Sequence, residues 1–128
     1  MRVVVTGGAG FLGSHLSAAL LNRGDHVVCV DNLSTGRLRN NMAFLDNSRF
    51  EFVQADVSVA LPVHDRVDAI AHLASPASPP DYHRLPLQTL AAGSRGTEHS
   101  LQLARQHDAR FVLASTSEDH VYAVELTT

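Results

Sequence analysis

The sequence predicts an α/β protein built on an open, doubly wound parallel sheet of about five strands in the order 3-2-1-4-5. Two observations support this fold. Short β-branched runs alternate with segments of helical periodicity, and the first turn between such a run and a helix is rich in glycine. Strands separated by helices pair in parallel through right-handed crossovers, and such sheets bind ligands beyond the carboxyl ends of their strands.

Five strands are predicted from runs of apolar, mostly β-branched residues, namely residues 2–6, 26–31, 50–54, 67–73 and 110–114. The first run, RVVVT, is typical of a strand that is buried on both faces. Helices are predicted over residues 11–23, which end at Gly24, and over the longer segment 87–107. Residues 32–47 and the proline-rich residues 74–86 are expected to be loops.

Length and composition exclude several classes of protein. The 128 residues correspond to one domain, and 45% hydrophobic residues are typical of a globular chain. A net charge of −3 provides no basic excess for nucleic acid, and no apolar stretch approaches the ~20 residues of a membrane span. The glycines that begin at Gly7 interrupt the chain too early for a signal peptide. We therefore expect a cytoplasmic protein without nucleic-acid or membrane partners.

Disulfide and metal chemistry are not expected. Cys29 is the single cysteine, which excludes an internal disulfide and fits a reducing compartment. It lies in a predicted buried strand and is interpreted as a small core residue. The eight histidines show no paired spacing with cysteine or carboxylates, so no metal site is predicted.

The segment TGGAGFLG, from Thr6 to Gly13, joins the first predicted strand to the first helix. Its glycines permit a tight turn and let backbone N–H groups approach a pyrophosphate, and Gly13 lets the helix pack closely on the strand. The start of the helix adds the positive end of its dipole. The segment therefore predicts a Rossmann-like dinucleotide site.

Asp31 ends the second predicted strand, 18 residues after Gly13. A carboxylate there can accept hydrogen bonds from both hydroxyls of an adenosine ribose and would repel a 2′-phosphate, which favours NAD over NADP. A simple acidic cap is the alternative interpretation, and Arg37 and Arg39 in the next loop keep NADP as a second candidate. Residues 56–57, after the third strand, either contact the adenine or form a surface turn.

Several segments resemble the extended short-chain dehydrogenase/reductases, the NAD-dependent epimerase/dehydratase group. They are the glycine-rich turn and the segments DNLSTGR (31–37), HLAS (72–75) and ASTSE (114–118). Within that group, SPASPPDY (75–82) together with STSE (115–118) is similar to UDP-glucuronate decarboxylases. The resemblance runs from Arg2 to about Glu118 and implies NAD as cofactor and a UDP-sugar as substrate. A homo-oligomer is also expected.

The resemblance implies roles for individual residues. The residues implied at the pyrophosphate are Gly7, Gly10, Phe11 and Leu12. The residues implied at the adenosine are Asp31, Asn32, Thr35 and Gly36 for the ribose, and Asp56 and Val57 for the adenine. Leu73, Ala74 and Ser75 would run beside the cofactor, with residues 76–82 facing the sugar nucleotide. The two catalytic candidates are Thr116, at the O4 region of the sugar, and Glu118, near the reacting sugar.

The last matching segment favours decarboxylation over the alternatives within the group, a 4-epimerase or a 4,6-dehydratase. Dehydratases of the group carry Asp in place of Ser117 as a general acid, a role that serine does not readily take. Epimerases usually lack the glutamate that corresponds to Glu118. The capping of a strand end is the alternative interpretation of Thr116 and Ser117.

The sequence also departs from the group. The proton-transfer pair of the group is a Tyr followed four residues later by Lys, whereas Tyr82 and Tyr122 are followed at that distance by Pro86 and Leu126. Gly93 stands where many relatives have an asparagine. We therefore expect a chain that binds NAD without turnover, and a non-catalytic dinucleotide-binding module is the other interpretation.

Members of the group are more than twice as long as this chain. We therefore expect residues 1–118 to form the NAD-binding domain, truncated before the substrate domain, and residues 119–128 to form a divergent or disordered tail. Such a truncation would expose a sheet edge and promote self-association.

Overall fold

The structure, a computed structural model, describes residues 1–76 and 79–115. Five parallel strands form one sheet in the order β3-β2-β1-β4-β5, which confirms the predicted order. The strands are β1 (Arg2–Thr6), β2 (His26–Asp31), β3 (Phe50–Gln54), β4 (Ala69–His72) and β5 (Arg110–Leu113). The fourth strand is thus shorter than the predicted segment 67–73, and Val67 packs in the core before pairing begins.

The described residues form four α-helices, which are α1 (Phe11–Arg23), α2 (Pro79–Arg84), α3 (Pro86–Ala91) and α4 (Thr97–His107). The first ends at Gly24, whose φ of +97° is a left-handed conformation that glycine adopts freely. A π-helical segment, Ala92–Gly96, separates α3 from α4. The prediction of one continuous helix over residues 87–107 is therefore wrong in one respect, because the π-helical segment interrupts the regular helix.

Both segments predicted as loops contain short helices. Residues 32–47 include a 3₁₀ helix, Leu38–Phe44, which is anchored by an edge-on contact of 5.0 Å between the ring centroids of Phe44 and Phe50. Residues 74–86 include α2, whose first two residues are prolines, and proline is favoured in the first turn of a helix. The two segments are therefore partly helical, contrary to the prediction.

The core lies on both faces of the sheet, since successive side chains of a strand point to opposite faces. Val3 and Val5 pack on one face with Leu21 of α1. Val4 packs on the other face with Leu103 of α4. Because α1 and α4 cover opposite faces, the sheet is doubly wound, as predicted.

Cys29 is fully buried in β2, in the cluster beneath α1. Burial raises the pKa of its thiol to about 12, and the nearby charge of Asp31 adds to the effect. The thiol therefore stays protonated and packs as a small apolar group, which confirms its predicted core role. In residues 1–76 and 79–115, no helix has the length and apolar character that crossing a bilayer requires.

Candidate functional site

Three chain segments leave the sheet side by side at its carboxyl edge. Thr6, at the end of β1, lies between Val30 of β2 and His72 of β4. The N–H of Gly7 donates to the carbonyl oxygen of Val30 over 2.7 Å. The glycine-rich turn, the loop after Asp31 and the loop after β4 are therefore neighbours, as a ligand site of this topology requires.

The glycine-rich turn is packed so tightly that side chains are excluded at Gly7, Gly8 and Gly13. Gly7 has a φ of +71°, and a Cβ there would lie 2.9 Å from the backbone of Leu73. A Cβ on Gly13 would overlap the carbonyl oxygen of Gly7, and one on Gly8 would overlap the sulfur of Cys29. Only bare backbone fits at these three glycines, and bare backbone is what lets N–H groups approach a phosphate.

Helix α1 begins directly after this turn. Its first hydrogen bond runs from the N–H of Ser14 to the carbonyl oxygen of Gly10 over 3.0 Å, so the N–H groups of Phe11, Leu12 and Gly13 precede it. The side chains of Phe11 and Leu12 are 75% and 65% exposed. Free N–H groups at the positive end of a helix dipole are suited to a pyrophosphate, so the turn fits a dinucleotide.

Asp31 is only 7% exposed and joins the turn to the next loop. Its Oδ2 accepts a hydrogen bond from the N–H of Ala9 over 2.9 Å, and its Oδ1 accepts one from Leu33 over 2.8 Å. Each carboxylate oxygen keeps a second lone pair that can accept a ribose hydroxyl. Gly36 passes so close that a Cβ there would lie 2.8 Å from Oδ2 of Asp31.

A groove of about 500 Å³ lies between the loop after β2 and helix α2. Its lining residues are Leu33, Ser34, Thr35, Gly36, Arg37, Asp81 and Arg84. Thr35 and Gly36, both implied at the ribose, thus line one groove. Asn32, implied there as well, is exposed, and its Oδ1 accepts a hydrogen bond from the N–H of Ser34 over 3.0 Å. The structure therefore brings this loop to the mouth of the site.

The loop after β4 is held beside the glycine-rich turn by Thr6. Oγ1 of Thr6 accepts hydrogen bonds from the N–H groups of Leu73 (3.1 Å) and Ala74 (3.3 Å). The backbone of Leu73 and Ala74 therefore runs past Gly7, and their place beside a cofactor stays a prediction. Ser75, the third predicted residue, follows them and is exposed.

A model of the family described as "NAD dependent epimerase/dehydratase family" matches residues 3–126. The chain belongs to this family. NAD is the family's cofactor, and the glycine-rich turn, the start of α1 and the carboxylate of Asp31 fit that molecule.

The relatives of the chain within this family include sugar-nucleotide enzymes. It is 48% identical to UDP-glucuronic acid decarboxylase 1 of Arabidopsis thaliana over 118 residues, and this aligned region covers 92% of the chain and 27% of the relative. It is 50% identical to decarboxylase 4 of the same plant, with 92% and 26% covered. The solved UDP-glucose 4-epimerase of Thermus thermophilus, in complex with NAD, is 30% identical with a TM-score of 0.71, covering 91% of this chain and 38% of that one. The chain thus spans about a quarter of the length of these decarboxylases.

His72, in a segment that resembles the family, is buried and contacts side chains and backbone of several elements. It is 3% exposed, and its Nδ1 lies 2.7 Å from Oγ1 of Thr6 and 3.4 Å from Oγ of Ser100. Burial lowers its pKa, and a hydrogen bond with the backbone of Ala92 opposes that shift. The neutral ring therefore ties β1 and β4 to α4 and the π-helical segment.

The two residues implied at the adenine differ in their surroundings. Asp56 is exposed, and its Oδ1 accepts hydrogen bonds from the N–H (2.9 Å) and the hydroxyl (2.6 Å) of Ser58. Val57 is 5% exposed and packs against Gly96, where a Cβ would lie 2.8 Å from its Cγ2. Val57 is thus a core residue, and contact of either residue with the adenine stays a prediction.

Other predicted features of the family lie outside the described residues. Thr116, Glu118 and the proposed boundary after residue 118 are among them, so their roles stay predictions. Among the residues that the structure describes, no three His, Cys, Asp or Glu side chains are grouped as metal ligands.

Sequence reasoning missed four residues that shape the site. Thr6 and Gly8 belong to the recognised turn, but their contacts depend on partners that are distant in sequence. Asn40 and Asn41 donate hydrogen bonds to the carbonyl groups of the turn from more than 30 residues away. The polar end of the apolar strand RVVVT is a signal that could have identified Thr6. Two adjacent asparagines in a polar loop are typical of surface turns and give no such signal.

Proposed function

We propose that this chain supplies the NAD-binding part of an enzyme that decarboxylates UDP-glucuronate to UDP-xylose through a 4-keto intermediate. The observation that carries the cofactor preference is the buried carboxylate of Asp31, bonded to the N–H groups of Ala9 and Leu33 beside the start of α1. A negative charge there accepts ribose hydroxyls and repels a 2′-phosphate. The identity to UDP-glucuronic acid decarboxylases supports the reaction.

Each part of the site has a distinct task in this proposal. The N–H groups that open α1 bind the pyrophosphate, Asp31 orients the adenosine ribose, and Thr6 fixes the backbone of residues 73–74 along the cofactor. Bound NAD supplies reversible hydride acceptance at C4 of the sugar. A ketone at C4 lets the 5-carboxylate leave as CO₂, because the carbonyl accepts the electron pair. Protonation at C5 and return of the hydride to C4 would then give UDP-xylose with no net oxidation.

Within this proposal Thr116 hydrogen-bonds the O4 region of the sugar and Glu118 acts near the reacting sugar. In the Tyr–Lys pair of the family, Lys lowers the pKa of the phenol. This pair has no counterpart in the sequence given, which contains ten arginines and no lysine. We therefore propose that the chain binds NAD and does not turn over by itself. A cytoplasmic location is part of the proposal and is consistent with the buried thiol of Cys29.

The cofactor preference is tested by calorimetric titration with NAD and NADP. We expect NAD to bind about tenfold more tightly, a difference of ~1.4 kcal/mol. Asp31→Asn removes the charge and keeps one acceptor oxygen, which can bond the N–H of Ala9 but then not that of Leu33, so it should bring the two affinities together. Asp46→Ala, which removes an exposed carboxylate in the segment before β3, is the matched control and should keep the preference. Tighter binding of NADP by the wild-type protein would contradict the proposal.

The reaction is tested by product analysis with the complete protein. We expect UDP-glucuronate to give UDP-xylose and CO₂, and UDP-glucose and dTDP-glucose to remain unchanged. The similarity to a UDP-glucose 4-epimerase makes 4-epimerisation the second candidate. Conversion of UDP-glucose to UDP-galactose, without release of CO₂ from UDP-glucuronate, would establish that alternative.

A further inference from the structure

The peptide unit between Gly8 and Ala9 is hydrogen-bonded to two side chains that are distant in sequence, one at the end of β2 and one in the 3₁₀ helix. The N–H of Ala9 donates to Oδ2 of Asp31 over 2.9 Å. The carbonyl oxygen of Gly8 accepts a hydrogen bond from Nδ2 of Asn41 over 3.1 Å. Because the N–H and C=O of a trans peptide point in opposite directions, this pair of bonds fixes the rotation of the peptide plane.

The next peptide unit, between Ala9 and Gly10, is held in the same manner. The carbonyl oxygen of Ala9 accepts hydrogen bonds from Nδ2 of Asn40 (2.8 Å) and from the N–H of Arg37 (3.0 Å). The N–H of Gly10 donates to the carbonyl oxygen of Gly7 over 3.1 Å. Two consecutive peptide planes at the tip of the turn therefore have a single orientation.

The burial of Asn41 indicates how much this arrangement depends on it. Its side chain is completely buried within the 3₁₀ helix, and its Oδ1 has no hydrogen-bond partner among the described residues. A buried polar atom without a partner is costly, and an apolar side chain would avoid that cost. What the amide of Asn41 provides, and an apolar side chain does not, is the hydrogen bond to the carbonyl oxygen of Gly8.

We propose that Asn40 and Asn41 are positioning residues for the pyrophosphate, an inference that rests on the proposed binding of NAD. They hold the carbonyl groups of Gly8 and Ala9 toward the 3₁₀ helix. The negative ends of these dipoles then stay away from the N–H groups that open α1. Each of these peptide planes has a glycine on one side, which makes it easier to rotate, and a rotated carbonyl would face the phosphates.

The test measures NAD affinity well below the unfolding temperature, where a general loss of stability leaves the dissociation constant unchanged. We expect Asn40→Ala and Asn41→Leu each to raise the dissociation constant about fivefold to tenfold. Asn40→Gln keeps the donor on an exposed side chain and should remain close to wild type. Asn47→Ala is the matched control, because it also removes a side-chain bond to the backbone, to the N–H of Arg49, but away from the turn.

The outcomes separate this inference from the proposed function. A wild-type protein that fails to bind NAD overturns the proposed function and this inference together. A wild type that binds, with both Asn40→Ala and Asn41→Leu close to it in affinity, overturns the inference alone, as does an equal loss in Asn47→Ala. If Asn41→Leu does not fold, the exposed Asn40→Ala and its rescue by Asn40→Gln decide the question.

Discussion

Gly13 is the residue at which α1 and the glycine-rich turn come closest. A Cβ there would overlap the carbonyl oxygen of Gly7 and lie 2.6 Å from Cα of Gly8. Because these neighbours are backbone atoms, Gly13→Ala must displace the turn. We expect a loss of about 1–3 kcal/mol in the free energy of unfolding, measured in urea, together with weaker NAD binding.

Gly93 provides the matched control for this substitution. A Cβ at Gly93 would meet nothing within 4 Å, and the residue lies in the π-helical segment. Gly93→Ala should therefore leave stability unchanged or raise it by up to about 1 kcal/mol. A Gly13→Ala protein as stable as Gly93→Ala would show that the turn tolerates a side chain.

The burial of His72 makes stability depend on pH. Its pKa is lowered in the folded protein from the ordinary 6.5, so the unfolded chain takes up the proton first. The stabilisation is complete above about pH 6.5 and is lost as the pH falls through the folded pKa, by at most ~1.4 kcal/mol per pH unit. The pKa of the Asp68 carboxyl is also lowered, chiefly by the hydrogen bond from the N–H of Arg2. Its effect on stability belongs to more acidic solution, around and below the ordinary pKa of 3.8.

This dependence is measured by urea unfolding between pH 7.5 and about 5, a range that spans the ordinary histidine pKa. His72→Asn keeps an acceptor for the hydroxyl of Thr6 and should flatten the slope. His64→Asn removes an exposed histidine and should leave the slope of stability against pH as in the wild type. Equal slopes in His72→Asn and the wild type would exclude His72 as the source.

At the scale of elements, two helices end in the left-handed conformation with different residues. Gly24 follows α1 with a φ of +97°, and Asp108 follows α4 with a φ of +51°. Because a side chain makes this conformation costly, we expect Gly24→Ala to lose about 1 kcal/mol of unfolding free energy and Asp108→Gly to gain up to about that amount. Thermal unfolding of the two variants checks the opposite signs; a destabilised Asp108→Gly would contradict the argument.

The strands and α1 could be predicted from the sequence because their patterns are local. A run such as RVVVT carries its own β-propensity and burial, and Gly24 marks the end of α1. The π-helical segment and the 3₁₀ helix could not be predicted, since their geometry depends on distant partners. The backbone of Ala92 bonds His72, and Asn41 bonds Gly8.

The candidate site follows the same division. The glycine-rich turn and Asp31 are recognisable because backbone geometry and charge limit which residues can stand there. The bonds from Asp31 to Ala9 and Leu33 and the asparagine contacts became visible only in three dimensions. The burial of Val57 likewise became visible only in the structure, which places its side chain in the core, and its contact with the adenine stays a prediction.

For the whole molecule, β5 is the outermost strand of the described sheet on the side of β4. Val112 and Leu113 on it are 62% and 49% exposed. An exposed apolar edge can pair with another chain, so we predict self-association that Val112→Lys reduces. Sedimentation velocity over a range of concentrations measures it, with Val59→Lys, at a 76% exposed valine away from the edge, as control. A wild type that stays monomeric at high concentration would contradict the prediction.

The two peptide planes between Gly8 and Gly10 are each hydrogen-bonded at both the N–H and the C=O, and this fixed geometry affects how fast the nucleotide binds. A loop that becomes ordered only on contact loses conformational entropy at that moment, and its affinity falls accordingly. Here the ordering is completed during folding, so the nucleotide meets a rigid, preorganised receptor. Association should then be a single fast phase without a slow rearrangement, and departure of the nucleotide should leave the turn as it was.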